Sequence, residues 1–202
     1  MWPGFTNVPN EFIESYFPLR IERYETIPDS GGAGLHRGGN GLSVAYRFLA
    51  DGQIGVHDER WLTYPWGVLG GETGRRSTKR LVRADGSEEW LPAKVEGIKV
   101  KEGDVLYFNT WGGGGWGDPY ARDPELVKTD VDRGLVTEAG AQRYGVVIEG
   151  GEVNVDATHA MRQTLVAERS EIPLFNRGGT VEELRSRCEA ETHMSAPVAP
   201  TF

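Results

Sequence analysis

Cysteine and histidine are scarce in this sequence of 202 residues, which contains one cysteine and four histidines. The single thiol, Cys188, excludes an internal disulfide bond and a cysteine-based zinc cage, and it favours a reducing, cytoplasmic compartment. The histidines, His36, His57, His159 and His193, show no HxxxH or HxH spacing that would direct two imidazoles at one ion. We therefore expect no metal ion and no cofactor to be bound by this chain alone.

Long apolar runs and an excess of positive charge are also missing. No segment approaches the roughly 18 apolar residues that a membrane-spanning helix needs, and the start MWPGFTNVPN lacks the basic and apolar regions of a signal peptide. The 30 acidic side chains outnumber the 22 basic ones and give a net charge of −8, which repels phosphate backbones and anionic lipids. The sequence therefore predicts no membrane and no nucleic-acid partner.

The common nucleophile motifs are absent as well. The sequence contains no GxSxG motif, and Cys188 falls in a late predicted helix without a nearby histidine motif. We therefore name no catalytic residue.

Glycine, by contrast, is abundant, and it is concentrated in two stretches. The segment NTWGGGGWGDPYARDPE, residues 109–125, has Asp118 and Pro119 where a P-loop would need a lysine and a hydroxyl residue. A phosphate-binding loop is therefore the less favoured explanation. We expect these glycines to let the chain leave a strand or pass close to another backbone. The second glycine-rich stretch, residues 28–41, is expected to be structural, with contact to a partner or substrate as the alternative.

Alternating apolar residues indicate strands between Leu19 and Thr110. Asp51-Gly52 and Asp85-Gly86 predict hairpin turns, and a further turn is predicted over residues 101–104. Cap signals then predict four helices: one over about 124–133, one between Thr137 and Gly145, one after Asp156, and one after the capping box of Thr180 and Glu183.

These patterns predict an α+β fold in which a mainly antiparallel β region is followed by C-terminal helices. Residues 1–170 are expected to form a single β-rich domain with helices at its C-terminal end. Residues 171–202 are expected to form a helix and a loose tail.

Five candidates for a substrate pocket or a subunit interface lie in one short charged and aromatic region: His57, Asp58, Arg60, Trp61 and Trp66. His57 and Asp58 are adjacent on a predicted strand, so their side chains point to opposite faces and cannot readily share a metal. One interpretation is a core tryptophan pair with a salt bridge beside it, in which a buried Arg60 would need a carboxylate. The other is an aromatic wall of a pocket or subunit interface.

The other three candidates are next to the glycine tract: Asn109, Trp111 and Asp118. We expect Asn109 and Trp111 to face a shared cavity, whereas Asp118 is explained more simply as a cap or turn residue. A basic run of Arg75, Arg76, Lys79, Arg80 and Arg83 is expected to lie in a solvated loop and strand. A carboxylate-rich partner surface is the alternative for this run.

Several stretches together resemble the C-terminal part of the hydantoinase B/oxoprolinase family: FPLRIERYETIPDSGGAGLHRGGNG, YPWGVLGG, KEGDVL, WGGGGWGDPYARDPELVKTDVDRG and YGVV. The resemblance covers roughly residues 7–165. It extends to N-methylhydantoinase B subunits, related lactamases, 5-oxoprolinase, and the acetone-type and acetophenone-type carboxylases. Typical members are more than twice as long, and the family's metal-binding Asp and His motifs lie in a part that this sequence does not contain.

The resemblance implies a subunit of an ATP-dependent hetero-oligomer that hydrolyses a cyclic amide, with this chain supplying structure and interface. It implies as partners an A-type subunit that binds ATP and an N-terminal B-type subunit that binds a divalent metal. A subunit of an acetone-type or acetophenone-type carboxylase is the first alternative, and a non-catalytic assembly subunit is the second.

Overall fold

Antiparallel strands are the main regular elements before residue 110. The computed structural model describes residues 7–169 and 171–198. A short helix that the sequence patterns did not predict, α1 (Asn10–Tyr16), precedes the strands. The strands that follow are β1 (Leu19–Thr26), β2 (Leu42–Phe48), β3 (Gly52–His57), β4 (Gly67–Val68), β5 (Thr78–Val82), β6 (Glu88–Trp90), β7 (Lys94–Val100) and β8 (Val105–Asn109).

Five of these strands form an antiparallel sheet in the order β1-β2-β8-β5-β6. Tyr46 on β2 and Leu81 on β5 both lie opposite Leu106 on the central strand β8. Strands β3 and β7 form a separate antiparallel ribbon. The sheet and the ribbon share a cluster of buried apolar side chains, namely Phe48, Val56, Leu81, Leu91 and Val100.

Two of the three predicted turns are confirmed and one is wrong. Asp85-Gly86 joins β5 to β6 with Gly86 at φ +85°, and residues 101–104 lead into β8 with Gly103 at φ +90°. Asp51-Gly52 does not close a hairpin, because β3 pairs with β7 rather than with β2. Strand β2 is already paired on both sides, by β1 and β8.

Helices predominate after residue 118. The elements are a 3-10 helix (Pro119–Ala121), α2 (Pro124–Asp132), α3 (Glu138–Ala141), a second 3-10 helix (Gln142–Tyr144), the short strands β9 (Ile148–Glu149) and β10 (Glu152–Val153), and α4 (Val155–Glu168).

Local capping chemistry sets where these helices begin. Asp123 caps α2 by accepting from the N–H of Glu125, and Thr137 caps α3 by accepting from the N–H of Gly140, so both predicted starts are confirmed. Helix α4 begins at Val155, because Asn154 rather than Asp156 is its N-cap.

A second apolar cluster packs the helices onto the glycine-rich stretch of residues 28–41. Its buried members are Ala33, Val127, Val136, Ala141, Tyr144 and Val146. Since Ala33 lies within residues 28–41, the helices are positioned directly against the irregular backbone that the glycines form.

The glycine tract lies between two other backbone segments at very short range. The N–H of Gly113 donates to the carbonyl of Gly39 at 2.8 Å, and the N–H of Gly115 donates to the carbonyl of Glu72 at 2.9 Å. A Cβ added at Gly112 or Gly114 would overlap a backbone carbonyl oxygen, that of Ser30 or of Trp66. Close backbone approach therefore explains the consecutive glycines.

The C-terminal tail is folded onto the sheet region. Strand β11 (Phe175–Asn176) pairs with β4. The predicted helix after the Thr180 capping box is two short helices, α5 (Val181–Ser186) and α6 (Cys188–Thr192). The capping box itself is confirmed, while residues 199–202 of the predicted loose tail lie outside the described residues.

The α+β fold class is therefore confirmed. In the two described ranges, no helix combines the length and the apolar character needed to cross a bilayer.

Candidate functional site

A buried ion pair lies where β3 ends. The side chain of Asp58 is 1% exposed and that of Lys79 on β5 is 2% exposed. The Lys79 ammonium and the Ser77 hydroxyl both donate to Asp58 Oδ2, and the Asp58 N–H donates to the carbonyl of Ala93 at 2.8 Å. Buried charges persist when they are paired in this way. Asp58 is therefore enclosed by the fold and does not face solvent.

A second buried cation, Arg76, lies beneath the C-terminal helices. Its side chain is 2% exposed, and its guanidinium carbon lies 4.3 Å from the centre of the Tyr64 ring. Arg76 Nη2 donates to the carbonyl of Leu184 at 3.0 Å, and Nε lies 3.4 Å from Glu191 Oε2. Burial and a hydrogen bond to Glu191 raise the pKa of Tyr64 to about 12. This network holds α5 and α6 against the sheet.

The expectation that the whole basic run is solvated is wrong for Arg76 and Lys79. Both are buried, and their carboxylate partners, Glu191 and Asp58, come from distant parts of the sequence. Only the apolar residues Leu81 and Val82 at the end of the same strand indicate that this segment enters the core. No local pattern shows which carboxylate neutralises which cation.

The interpretation of a core tryptophan pair is also wrong, because Trp66 is 46% exposed and Trp61 is half-buried. Arg60 is exposed at φ +59°. The His57 side chain is 68% exposed and contacts the Glu96 carboxylate. His57 and Asp58 thus face opposite ways, as predicted, and the structure does not bring the candidates of this region to one point.

Asn109 lies at a surface cavity of about 200 Å³ that is also lined by Ser43 and Arg75. Its carboxamide nitrogen donates to Thr78 Oγ1 at 3.2 Å. Trp111 is 39% exposed and is not among the residues that line this cavity. The cavity places a guanidinium and a carboxamide near one another at the end of β8.

Asp118 caps the 3-10 helix that follows the glycine tract, as its Gly-Asp-Pro setting predicts. Its Oδ1 accepts from the N–H of Tyr120 at 3.0 Å. Arg169 donates to both carboxylate oxygens, at 2.8 and 2.6 Å, and this guanidinium holds the pKa of Asp118 below its usual range. Asp118 thus ties the end of α4 to the glycine tract.

Trp66 also lies next to the glycine tract, since a Cβ added at Gly114 would overlap its carbonyl oxygen. Its ring contacts the ring of Phe175 edge-on at 6.2 Å, and the guanidinium carbon of Arg177 lies 4.8 Å from its centre. Sequence reasoning missed Phe175 and Arg177, because nothing local shows that a tail strand pairs with β4.

Several of these groups, such as Trp66 and Trp111, are exposed aromatic side chains. Within residues 7–169 and 171–198, no three His, Cys, Asp or Glu side chains converge as metal ligands would. The metal that the family resemblance implies therefore does not fit the described residues. The N–H groups of Gly112, Gly113 and Gly115 donate to backbone carbonyls, so they are not directed at a phosphate group.

The hydantoinase B/oxoprolinase family model matches residues 1–119, a shorter span than the resemblance over residues 7–165 suggested. The chain is 33% identical over 166 residues to the B subunit of a putative D-/L-hydantoinase from Pseudomonas sp. (strain NS671), covering 81% of this chain and 28% of that protein. It is 36% identical over 160 residues to the beta subunit of caprolactamase from Pseudomonas jessenii, covering 75% of this chain and 27% of that protein. It is 30% identical over 196 residues to the delta subunit of acetophenone carboxylase from Aromatoleum aromaticum, covering 80% of this chain and 29% of that protein.

Two solved structures share the fold. The crystal structure of the ATP-dependent caprolactamase from Pseudomonas jessenii matches with a TM-score of 0.63 at 32% identity, over 77% of this chain and 28% of that one. A nucleotide-free acetone carboxylase structure matches with a TM-score of 0.70 at 20% identity, over 84% of this chain and 28% of that one. At this identity the match shows only that the fold is shared.

The chain thus spans less than a third of the length of these relatives. The matched segment, residues 1–119, contains every strand of the five-stranded sheet and of the β3–β7 ribbon, together with all four consecutive glycines of the glycine tract. The chain belongs to the hydantoinase B/oxoprolinase family.

Proposed function

We propose that this chain is a subunit of an ATP-dependent hetero-oligomeric enzyme that hydrolyses the C–N bond of a cyclic amide. Identity of 33–36% with a hydantoinase B subunit and a caprolactamase beta subunit, over three quarters or more of the chain, is the observation that carries this proposal. The similarity to an ATP-dependent caprolactamase structure supports the requirement for ATP.

In this proposal the chain supplies structure and interface surfaces in the cytoplasm. The partners are an A-type subunit that binds ATP and an N-terminal B-type subunit that binds the divalent metal. The exposed candidates His57, Arg60, Trp66 and Trp111 are the side chains that this role would use. The enclosed position of Asp58 supports an internal, structural role for that residue.

The second candidate function is a subunit of an acetone-type or acetophenone-type carboxylase. The 30% identity with an acetophenone carboxylase delta subunit over 80% of this chain favours it. A non-catalytic assembly subunit is the third candidate, favoured by the lack of a converging ligand set in the described part of the chain.

The three functions are separated by purifying the tagged chain with its partners from the native host and assaying ATP hydrolysis. A cyclic-amide enzyme will hydrolyse ATP and open the ring when hydantoin or caprolactam is added, with no need for bicarbonate. A carboxylase will respond to acetone or acetophenone only when bicarbonate is present. A preparation that contains the partners but hydrolyses no ATP with any of these compounds would contradict both enzyme proposals.

A further inference from the structure

Four short backbone segments lie side by side near the glycine tract and present one row of large side chains. Phe175 on β11 lies opposite Val68 on β4. Val68 bridges to Trp116, and Trp116 bridges to His36. Residues directly opposed across strands project to the same side, as do residues two apart on one strand. Trp66, which precedes β4, joins this row through its ring contact with Phe175, and these five residues are called the aromatic face.

The aromatic face is exposed and continuous. Trp66 and Trp116 are each 46% exposed and Phe175 is 50% exposed. The rings form two contacting pairs, since Trp66 lies 6.2 Å from Phe175 and His36 lies 5.4 Å from Trp116 between ring centres. Val68, which pairs with Phe175 and bridges to Trp116, connects the two pairs. Contiguous exposed apolar surface of this kind marks interaction sites, and tryptophan and phenylalanine are enriched at the centres of protein interfaces.

A cation lies at one end of the aromatic face. The Arg177 guanidinium stacks over Trp66 at 4.8 Å, and it forms no ion pair with the carboxylates of the described residues. In a chain with a net charge of −8, a cation beside exposed aromatic rings favours a partner surface with an apolar centre and a carboxylate next to it.

We propose that the aromatic face binds the polypeptide that supplies the rest of the hydantoinase B length. The relatives hold this length in one chain, of which the present sequence spans 27–28%. In such a chain, the surface of this segment that contacts the rest of the polypeptide is covered. The same surface is exposed on this segment by itself. Four of the five residues, all but Phe175, fall within the family-matched segment 1–119. The inference rests on the proposed function because it requires a complex, but it does not depend on which substrate the complex uses.

Photo-crosslinking in the native host tests this assignment. A photoreactive phenylalanine analogue replaces Trp116 or Phe175 in the full chain, and a third version carries it at Val155, which is 70% exposed at the start of α4. Crosslinks from positions 116 and 175 are expected to reach a polypeptide that matches the family outside the segment spanned here. Position 155 is expected to give at least about 10-fold less of that product. Crosslinks to a second copy of this chain, to an unrelated protein or to none would overturn the proposal.

Charge insertion gives a second, quantitative measurement. Phe175→Glu, alone or with Trp116→Glu, is expected to lower the recovery of the companion polypeptide at least about 10-fold, as expected for an aromatic side chain that the interface buries. Val155→Glu is the matched control and should leave recovery unchanged. The thermal midpoint of each purified variant shows whether it is folded, and folded variants that retain the companion fully would overturn the proposal.

The same preparations separate this inference from the proposed function. Specific crosslinks without any amide-dependent ATP hydrolysis would contradict the enzyme function and leave the interface assignment standing. Amide-dependent ATP hydrolysis by a complex in which positions 116 and 175 do not crosslink to the companion would contradict the interface assignment alone.

Discussion

The space around each glycine determines whether a larger residue can replace it. At Gly114 a Cβ would overlap the carbonyl oxygen of Trp66, whereas at Gly39, in the neighbouring segment, a Cβ would meet nothing within 4 Å. Neither residue has a positive φ, so the two differ in space rather than in backbone strain. The requirement for glycine at position 114 therefore comes from the adjacent backbone.

Gly114→Ala is expected to destabilise the chain by about 3 kcal/mol, at the upper end of the range for overpacking, because rigid backbone must separate to admit the methyl group. Gly39→Ala is the matched control, and its effect should stay within about 0.5 kcal/mol of zero. Chemical denaturation of both variants measures the free energies of unfolding. Equal effects from the two substitutions would contradict the close-approach explanation.

The buried pair of Asp58 and Lys79 leads to a second expectation at this scale. Lys79→Met leaves the Asp58 carboxylate buried without its cation, and breaking such a pair costs about 3–5 kcal/mol. The double variant Asp58→Leu with Lys79→Met removes both charges and should recover much of that loss, as measured in a double-mutant cycle. Additive losses in the double variant would show that the two side chains do not stabilise one another.

At the scale of elements, ionic contacts fix how α4 meets the glycine tract. Arg169, the C-cap of α4, donates two hydrogen bonds to Asp118, which is itself the N-cap of the 3-10 helix. The two side chains are 27% and 21% exposed, so solvent screens their attraction only in part.

Asp118→Asn keeps a side-chain oxygen for the cap but removes the charge, and it is expected to cost about 1–2 kcal/mol at neutral pH. Because Arg169 lowers the pKa of Asp118 in the folded state, the stability that the pair provides is present above the ordinary value of 3.8 and is lost as the pH falls through the lower folded pKa. The difference between wild type and variant in unfolding free energy should therefore shrink below pH 3.8.

The control for this experiment is Asp132→Asn. Asp132 is 57% exposed and pairs with Lys128 one helical turn away, so its loss should cost only about 0.3–0.5 kcal/mol. A difference for Asp118→Asn that is constant across the acidic range would contradict the role given to its charge.

Sequence patterns predicted the elements whose signals are local. The starts of α2 and α3 follow from the side chains of Asp123 and Thr137, which cap the adjacent backbone. The pairing of β3 with β7 could not be predicted, because it depends on β8 taking the place beside β2. For the candidate site, Trp66 was among the sequence candidates, whereas Trp116 and His36 were not. Phe175 is brought to Trp66 only by pairing between distant segments.

At the scale of the whole molecule, the tail is part of the packed structure. Leu184, Cys188 and Thr192 are 7%, 0% and 2% exposed, and Glu191 accepts from Tyr64 next to the buried Arg76. The sequence suggests a boundary near residue 170. The described residues after this boundary are not a loose appendage, because they pack onto the strands that precede it.

Deleting residues 171–202 is expected to lower the free energy of unfolding by at least about 3 kcal/mol, since burying one leucine side chain alone stabilises by about 1.5–3 kcal/mol and the helices also cover Arg76. Deleting only residues 195–202 keeps α5, α6 and the stacking of His193 on Trp90, and should change stability by less than about 0.5 kcal/mol. Denaturant titration of both truncations makes the comparison. If the longer truncation were as stable as the intact chain, the buried network of Tyr64, Arg76 and Glu191 would contribute nothing to holding the fold together.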